Sequence, residues 1–129
     1  MSIFQKIIDK EIPAYIIDEN EDFVAFLDVF PLTKGHVLVI PKKAVDKFYE
    51  MNTDLIGNWM QFAQKIAIAI EKAIPCKRVG LSIVGLEVPH AHIHLMPINT
   101  LGDMSFEHKR LSLTPEEFEH IRNIIKKEL

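Results

Sequence analysis

The stretch His90-Ala91-His92-Ile93-His94-Leu95-Met96-Pro97 decides how this chain is read. Three histidines alternate with small or apolar residues. In a strand, successive side chains point to opposite faces, so His90, His92 and His94 would line one face and Ala91, Ile93 and Leu95 the other. A helix would scatter the same residues, because positions two apart do not face each other there. The alternation and the proline that follows predict a strand from His90 to Ile98. Imidazole, with an ordinary pKa of about 6.5, can serve as nucleophile or general base near neutrality. Three of them on one face repel one another's charged forms, which keeps at least one neutral. The pattern marks a site. From the residues alone it is open to metal ligation, to a nucleophile supported by its neighbours, or to a merely solvated face.

Working outward, Arg78 to Val84 reads as a preceding strand, joined to the histidine strand by the tight connection Gly85–Pro89. Further upstream, His36–Ile40 is an apolar strand stopped by Pro41. Phe23–Asp28 and Tyr15–Ile17 make two more, with turns at Asn20-Glu21-Asp22 and Pro31–Gly35. Ser2 can cap a short helix through Lys10, with Ile3, Phe4, Ile7 and Ile8 as its apolar stripe and Ile12-Pro13 as its stop. Ala44–Tyr49 predicts a further short helix. From Asn52 or Thr53 to about Ala73, Leu55, Ile56, Trp59, Phe62, Ala63, Ile66, Ala67 and Ile70 recur at helical intervals. Met60, Ile68 and Ala69 widen that apolar surface beyond one stripe, which fits burial on two sides, within one subunit or against a second. Thr100–Leu113 is irregular. Thr114-Pro115-Glu116-Glu117 then forms a capping box for a last helix, docked by Phe118, Ile121, Ile124 and Ile125. His108 and His120, in this tail, read as surface residues.

Bulk properties narrow the class. A chain of 129 residues, 48% hydrophobic and 26% charged, is long enough for one domain with a real core. The net charge of −3, with acids and bases interleaved, lacks the clustered basic surface that a nucleic-acid partner requires. A single cysteine, Cys76, excludes an internal disulfide and fits a reducing cytoplasm. The N-terminal residues carry no secretory pattern, and the most apolar run, Ile66–Ile70, is too short to span a bilayer, so no membrane partner is expected.

The triad and its flanks resemble the histidine triad (HIT) superfamily. His90-Ala91-His92-Ile93-His94-Leu95-Met96 has its order of histidine, apolar, histidine, apolar, histidine and two apolar residues. Ile3–Ile8 with Lys10-Glu11-Ile12-Pro13-Ala14 resembles the opening of the Hint branch, the histidine triad nucleotide-binding proteins. Ala25–Pro31 and Gly35–Lys43 resemble its next two blocks. The likeness covers residues 2 to about 98 of a single domain spanning 1–129, and leaves 99–129 as a C-terminal extension with a helix. It implies an α+β fold: a five-stranded antiparallel sheet with a long helix, a short N-terminal helix and an extra C-terminal helix. It also implies a homodimer.

The resemblance implies a covalent mechanism. His92 would attack the α-phosphorus of a purine nucleotide and form a transient nucleotidyl-imidazole that water hydrolyses. Imidazole suits such a two-step displacement, being a good nucleophile when neutral and a good leaving group when charged. The attacking nitrogen must be free, so the other needs an acceptor, expected in the His90 carbonyl. His94 would contact the phosphate, and His90 and His36 would orient the others. Asp28 would accept the ribose hydroxyls. Phe4, Ile7, Ile12, Phe26 and Val29 would sandwich the base, and Gly85 and Val88 match the family's approach to the triad. No cofactor is expected. Some relatives bind a structural zinc partly through an N-terminal Cys-x-x-Cys pair; here those positions are Ser2 and Gln5, and Ala44 stands where a histidine is often found, so no metal is expected.

Two departures bear on the leaving group. Leu86 and Glu87 stand where the branch has glutamine and serine, and an ionised glutamate cannot donate the hydrogen bond a serine can. Glu87 is thus expected either to act as a general acid or to favour a cationic amine leaving group. The connection before Gly85 is also short, which leaves Ser82 as a poor substitute for the family's phosphate-side asparagine. The leading expectation is a purine nucleoside phosphoramidase splitting a P–N bond in AMP-type substrates. The alternatives are a dinucleoside polyphosphate hydrolase of the fragile histidine triad type, a non-catalytic nucleotide-binding protein, and a metal protein using the three histidines directly.

Overall fold

The structure is a computed structural model and describes residues 2–129. Five strands, β1 (Ile16–Glu19), β2 (Phe23–Leu27), β3 (Val37–Pro41), β4 (Arg78–Ser82) and β5 (Ile93–Ile98), form one antiparallel sheet in the order β1-β2-β3-β5-β4. Helices α1 (Ile3–Ile8), α2 (Thr53–Ala73) and α3 (Pro115–Lys126) complete it, which is the expected α+β architecture. Among the described residues, no helix is long and apolar enough to cross a membrane.

Parity along the strands sorts the side chains into two layers. Phe23, Ala25 and Leu27 of β2, Val37 and Val39 of β3, and Ile93 and Leu95 of β5 bury one face under α2 and α3. The opposite face carries Val24, Phe26, Leu38 and Ile40, covered by Phe4 and Ile7 of α1. β2 and β3 are buried at every position, which is why both read as near-continuous apolar runs. Trp59 ties α2 to the sheet, its indole N–H donating to the Val39 carbonyl at 3.1 Å. The face opposite α2 also carries His94, and by the same parity Asp28 and His36 flank it just beyond the ends of β2 and β3.

Several boundaries differ from expectation, each for a visible reason. α1 stops at Ile8, not Lys10. Lys10 adopts φ +61°, Glu11 N–H bonds the Lys6 carbonyl and Lys10 N–H that of Ile7, the paired closure of a Schellman motif with lysine where glycine is usual. Ala44–Tyr49 is not a helix: only Phe48–Glu50 makes a tight turn, and the Val45 carbonyl is taken by Ala91 N–H. That bond also delays β5 until Ile93. Ala91 N–H and the His90 carbonyl have partners outside the ladder, so His90–His92 is extended but unzipped from the sheet. β3 includes Pro41, opposite Phe23 on β2. β4 ends at Ser82, opposite His94. The Thr114–Glu117 capping box forms as read, and Phe118, Ile121 and Ile125 are buried with Ile124 packed beside them.

Candidate functional site

Beneath α1, on the sheet face away from α2, lies a cavity of about 570 Å³. Phe4, Ile7, Ile12, Phe26, Asp28, Val29, Gly85, Glu87, Val88, His92 and His94 all line it, so the structure brings together most of the candidates named from the sequence. His36 and His90 do not line it; both are fully buried behind the wall. Val29 sits half-exposed at the rim, and Glu87 is exposed at the mouth. Ser82 is not among the lining residues, and its buried hydroxyl finds no partner among the described residues.

Hydrogen bonds set the state of each ring. His92 Nδ1 lies 2.7 Å from the His90 carbonyl, which can only accept, so Nδ1 carries the proton and Nε2 keeps its lone pair. His90 Nε2 lies 2.7 Å from the Pro41 carbonyl and donates to it in the same way. Leu32 N–H donates to His36 Nδ1 at 3.0 Å, which forces the His36 proton onto Nε2. That nitrogen is 2.9 Å from His94 Nδ1, so His94 accepts there and carries its own proton on Nε2. A backbone amide thus dictates, through two rings, that His94 offers a donor. Phe4 fixes the ring planes from above, edge-on to His92 at 5.0 Å and to His90 at 5.9 Å between centroids.

Burial keeps these imidazoles uncharged. It depresses His36 and His94 to about 3, helped for His36 by His94 and Arg110 and for His94 by His92 and Arg110. His92 and His90 are also lowered by burial, opposed by their hydrogen bonds to carbonyls. Asp28 is raised by burial, against the Phe30 N–H bond and the Arg110 charge, while Glu87 adds to the rise. Asp28 Oδ1 accepts from Phe30 N–H at 2.8 Å, and Oδ2 lies 3.6 Å from His36 Nε2. With His36 neutral, that contact is no ion pair.

Donor atoms of Asp28, His36 and His94 lie within 4.8 Å of one another, close enough in principle to share a metal ion. The tautomers oppose it. The Leu32 amide places a proton on His36 Nε2, the atom a metal would need, and His94 Nδ1 already accepts that proton.

Two lining residues lie outside everything the sequence singled out. Phe106 meets His94 edge-on at 4.7 Å, and Arg110 spans from the Phe30 carbonyl, 2.8 Å from Nη1, towards Asp28. Both belong to the irregular segment after β5, where no periodicity predicts a direction. His108 between them is exposed and not part of the wall.

A sheet packed under two helices on one face, with a histidine array lining a cavity beneath a short helix on the other, defines a protein class, and sequence comparison specifies it: residues 9–101 match the HIT domain family, to which this chain belongs. An uncharacterized HIT-like protein of Methanocaldococcus jannaschii is 39% identical over 101 residues, covering 75% of this chain and 78% of that protein. The yeast adenosine 5'-monophosphoramidase HNT1 is 34% identical over 96 residues, covering 74% of this chain and 61% of the yeast protein. A HIT-like protein of Bartonella henselae, described as involved in cell-cycle regulation, superposes with a TM-score of 0.86 at 29% identity, covering 99% of this chain and 96% of its own.

Proposed function

We propose that this protein is a nucleotide hydrolase that works through a covalent nucleotidyl-His92 intermediate, and that its preferred reaction is cleavage of a P–N bond in a purine nucleoside phosphoramidate. The observation that carries the proposal is the His92 tautomer. With Nδ1–H committed to the His90 carbonyl, the free lone pair belongs to a neutral ring on the cavity wall. Family membership supports nucleotide hydrolysis or transfer in general, and the yeast phosphoramidase supports the choice of bond.

The roles of the remaining residues follow from their placement. His92 Nε2 attacks the α-phosphorus as the P–N bond breaks with its electron pair going to a nitrogen already protonated from solvent, so that a neutral amine leaves. A water molecule later attacks phosphorus, displaces His92 and gives its proton back to solvent. His94 Nε2–H donates to a phosphoryl oxygen as negative charge develops there. His36 and His90 hold the neighbouring rings in their tautomers. Asp28 accepts the ribose hydroxyls, and Phe4, Ile7, Ile12, Phe26 and Val29 enclose the base. Gly85 and Val88 line the same cavity. Glu87, exposed at the mouth with its charge felt at His92, favours a leaving group whose nitrogen is protonated and cationic before the P–N bond breaks, and opposes an anionic one. That contrast favours a phosphoramidate over a dinucleoside polyphosphate. The reading includes a cytoplasmic location and a homodimer, the second supported by Met60 and Ile68, which are exposed on α2.

The test is amine release from an adenosine phosphoramidate by the parent and by His92→Ala and His92→Asn. The parent should turn over, and both variants should lose about three or more decades in rate, the range for a covalent nucleophile. Variants that stay within about tenfold of the parent would exclude His92 as nucleophile.

A further inference from the structure

The residues around the cavity present a charge problem. Asp28 and Glu87 are the acidic groups lining it, and a nucleotide brings at least one more negative charge. The histidines do not offset this, because burial keeps His92 and His94 neutral. Among the described residues lining the cavity, Arg110 alone is permanently cationic.

Its position is built by several contacts. Leu111 N–H donates to the Pro31 carbonyl at 2.8 Å, pinning the tail across the loop before β3. Arg110 Nη1 donates to the neighbouring Phe30 carbonyl at 2.8 Å. The guanidinium lies 5.6 Å from the Phe106 ring centroid, and Phe106 in turn packs edge-on against His94. Nη1 is 3.9 Å from Asp28 Oδ2, beyond hydrogen-bond length. Of the five N–H groups in a guanidinium, one is committed within the protein among the described residues. The others sit at the cavity edge, with Asp28 beside them and His94 reached through Phe106.

We propose that Arg110, delivered by the C-terminal tail, is a substrate-binding residue that contacts the phosphate of the nucleotide and makes the site selective for a phosphorylated nucleoside over the bare nucleoside. The inference rests on the nucleotide reading above. A planar guanidinium with free donors matches two phosphoryl oxygens at once, and the partly water-excluded wall strengthens the contact. The tail would therefore set affinity as well as close the cavity.

The test compares binding of AMP and of adenosine by calorimetry, at low and high ionic strength, for the parent, Arg110→Gln and Arg110→Lys. Arg110→Gln should weaken AMP about ten- to hundredfold, the range for a hydrogen bond to a charged group, and leave adenosine unchanged. The salt dependence of AMP binding should shrink with it, and Arg110→Lys should recover part of the affinity, since it keeps the charge but loses the fork. Equal weakening of AMP and adenosine would overturn the inference, because Arg110 would then only hold the wall in place. Unchanged AMP binding in Arg110→Gln would overturn it as well. Both outcomes leave the nucleotide reading standing, whereas a parent that binds neither ligand defeats that reading and this inference together.

Discussion

The chemistry of the site depends on which nitrogen of each ring holds a proton, and one backbone amide controls half of it. Leu32 N–H is a donor only, so His36 Nδ1 must accept and its Nε2–H must donate to His94. Removing His36 should release His94 Nδ1 from that constraint. In the parent, imidazole nitrogen-15 shifts should show His94 protonated at Nε2 alone; in His36→Ala both tautomers should appear. Turnover should fall by up to about a hundredfold, the scale for losing one donor to developing charge, and His36→Gln, which restores a donor, should recover part of it. A single Nε2–H tautomer at His94 in His36→Ala would refute the relay. His92 and His94 were legible in the sequence because they sit in a run whose alternation fixes their face, and His36 because the block Gly35–Lys43 resembles the family's. Phe106 and Arg110 were not. Their segment has no period, and its course depends on a bond between Leu111 and Pro31, eighty residues apart in sequence, that no local pattern encodes.

At the scale of elements, the position of His36 depends on how β3 begins. Gly35 has φ +98°, in the region that disfavours any residue with a Cβ, and a Cβ there would collide with the Ile74 side chain. Pro97 Cγ would stand 3.2 Å away, a second tight contact for the same Cβ. Gly35→Ala should cost about 1–3 kcal/mol from the backbone alone, with the collision adding to it, measured as a lower urea midpoint at unchanged slope. It should also lower turnover at saturating substrate, because the strand start that carries His36 shifts with it. Stability equal to the parent's would show that the glycine is not required. Element types were readable where a period or a cap was present, as in α2 with its apolar stripe and α3 with its capping box. They failed where a long-range bond claimed a backbone group. The Val45 carbonyl, taken by Ala91, cost both the expected helix at Ala44–Tyr49 and the first three residues of β5.

Across the whole molecule, the site makes the fold sensitive to acid. Four histidines are buried and their pKa values lie below the ordinary 6.5, with His36 and His94 at about 3. In the unfolded chain each takes up a proton as pH falls through about 6.5, while in the folded protein it does so only at lower pH. The unfolded state therefore binds more protons, and stability is full above 6.5 and declines as pH falls towards the folded values. Each histidine adds a slope of about 1.4 kcal/mol per pH unit between its two pKa values. Asp28 acts in the opposite sense. Its folded pKa is raised above 3.8, so its contribution favours the fold at low pH and is lost as pH rises. One carboxyl set against four imidazoles leaves the decline dominant. Unfolding free energy from urea titrations should fall steadily between pH 7 and pH 5, and His36→Gln should flatten that fall by about one histidine's share. A parent equally stable at pH 7 and pH 5 would mean that the buried rings protonate within the fold. The neutral His92 nucleophile and the His94 donor could not then both persist at mildly acidic pH.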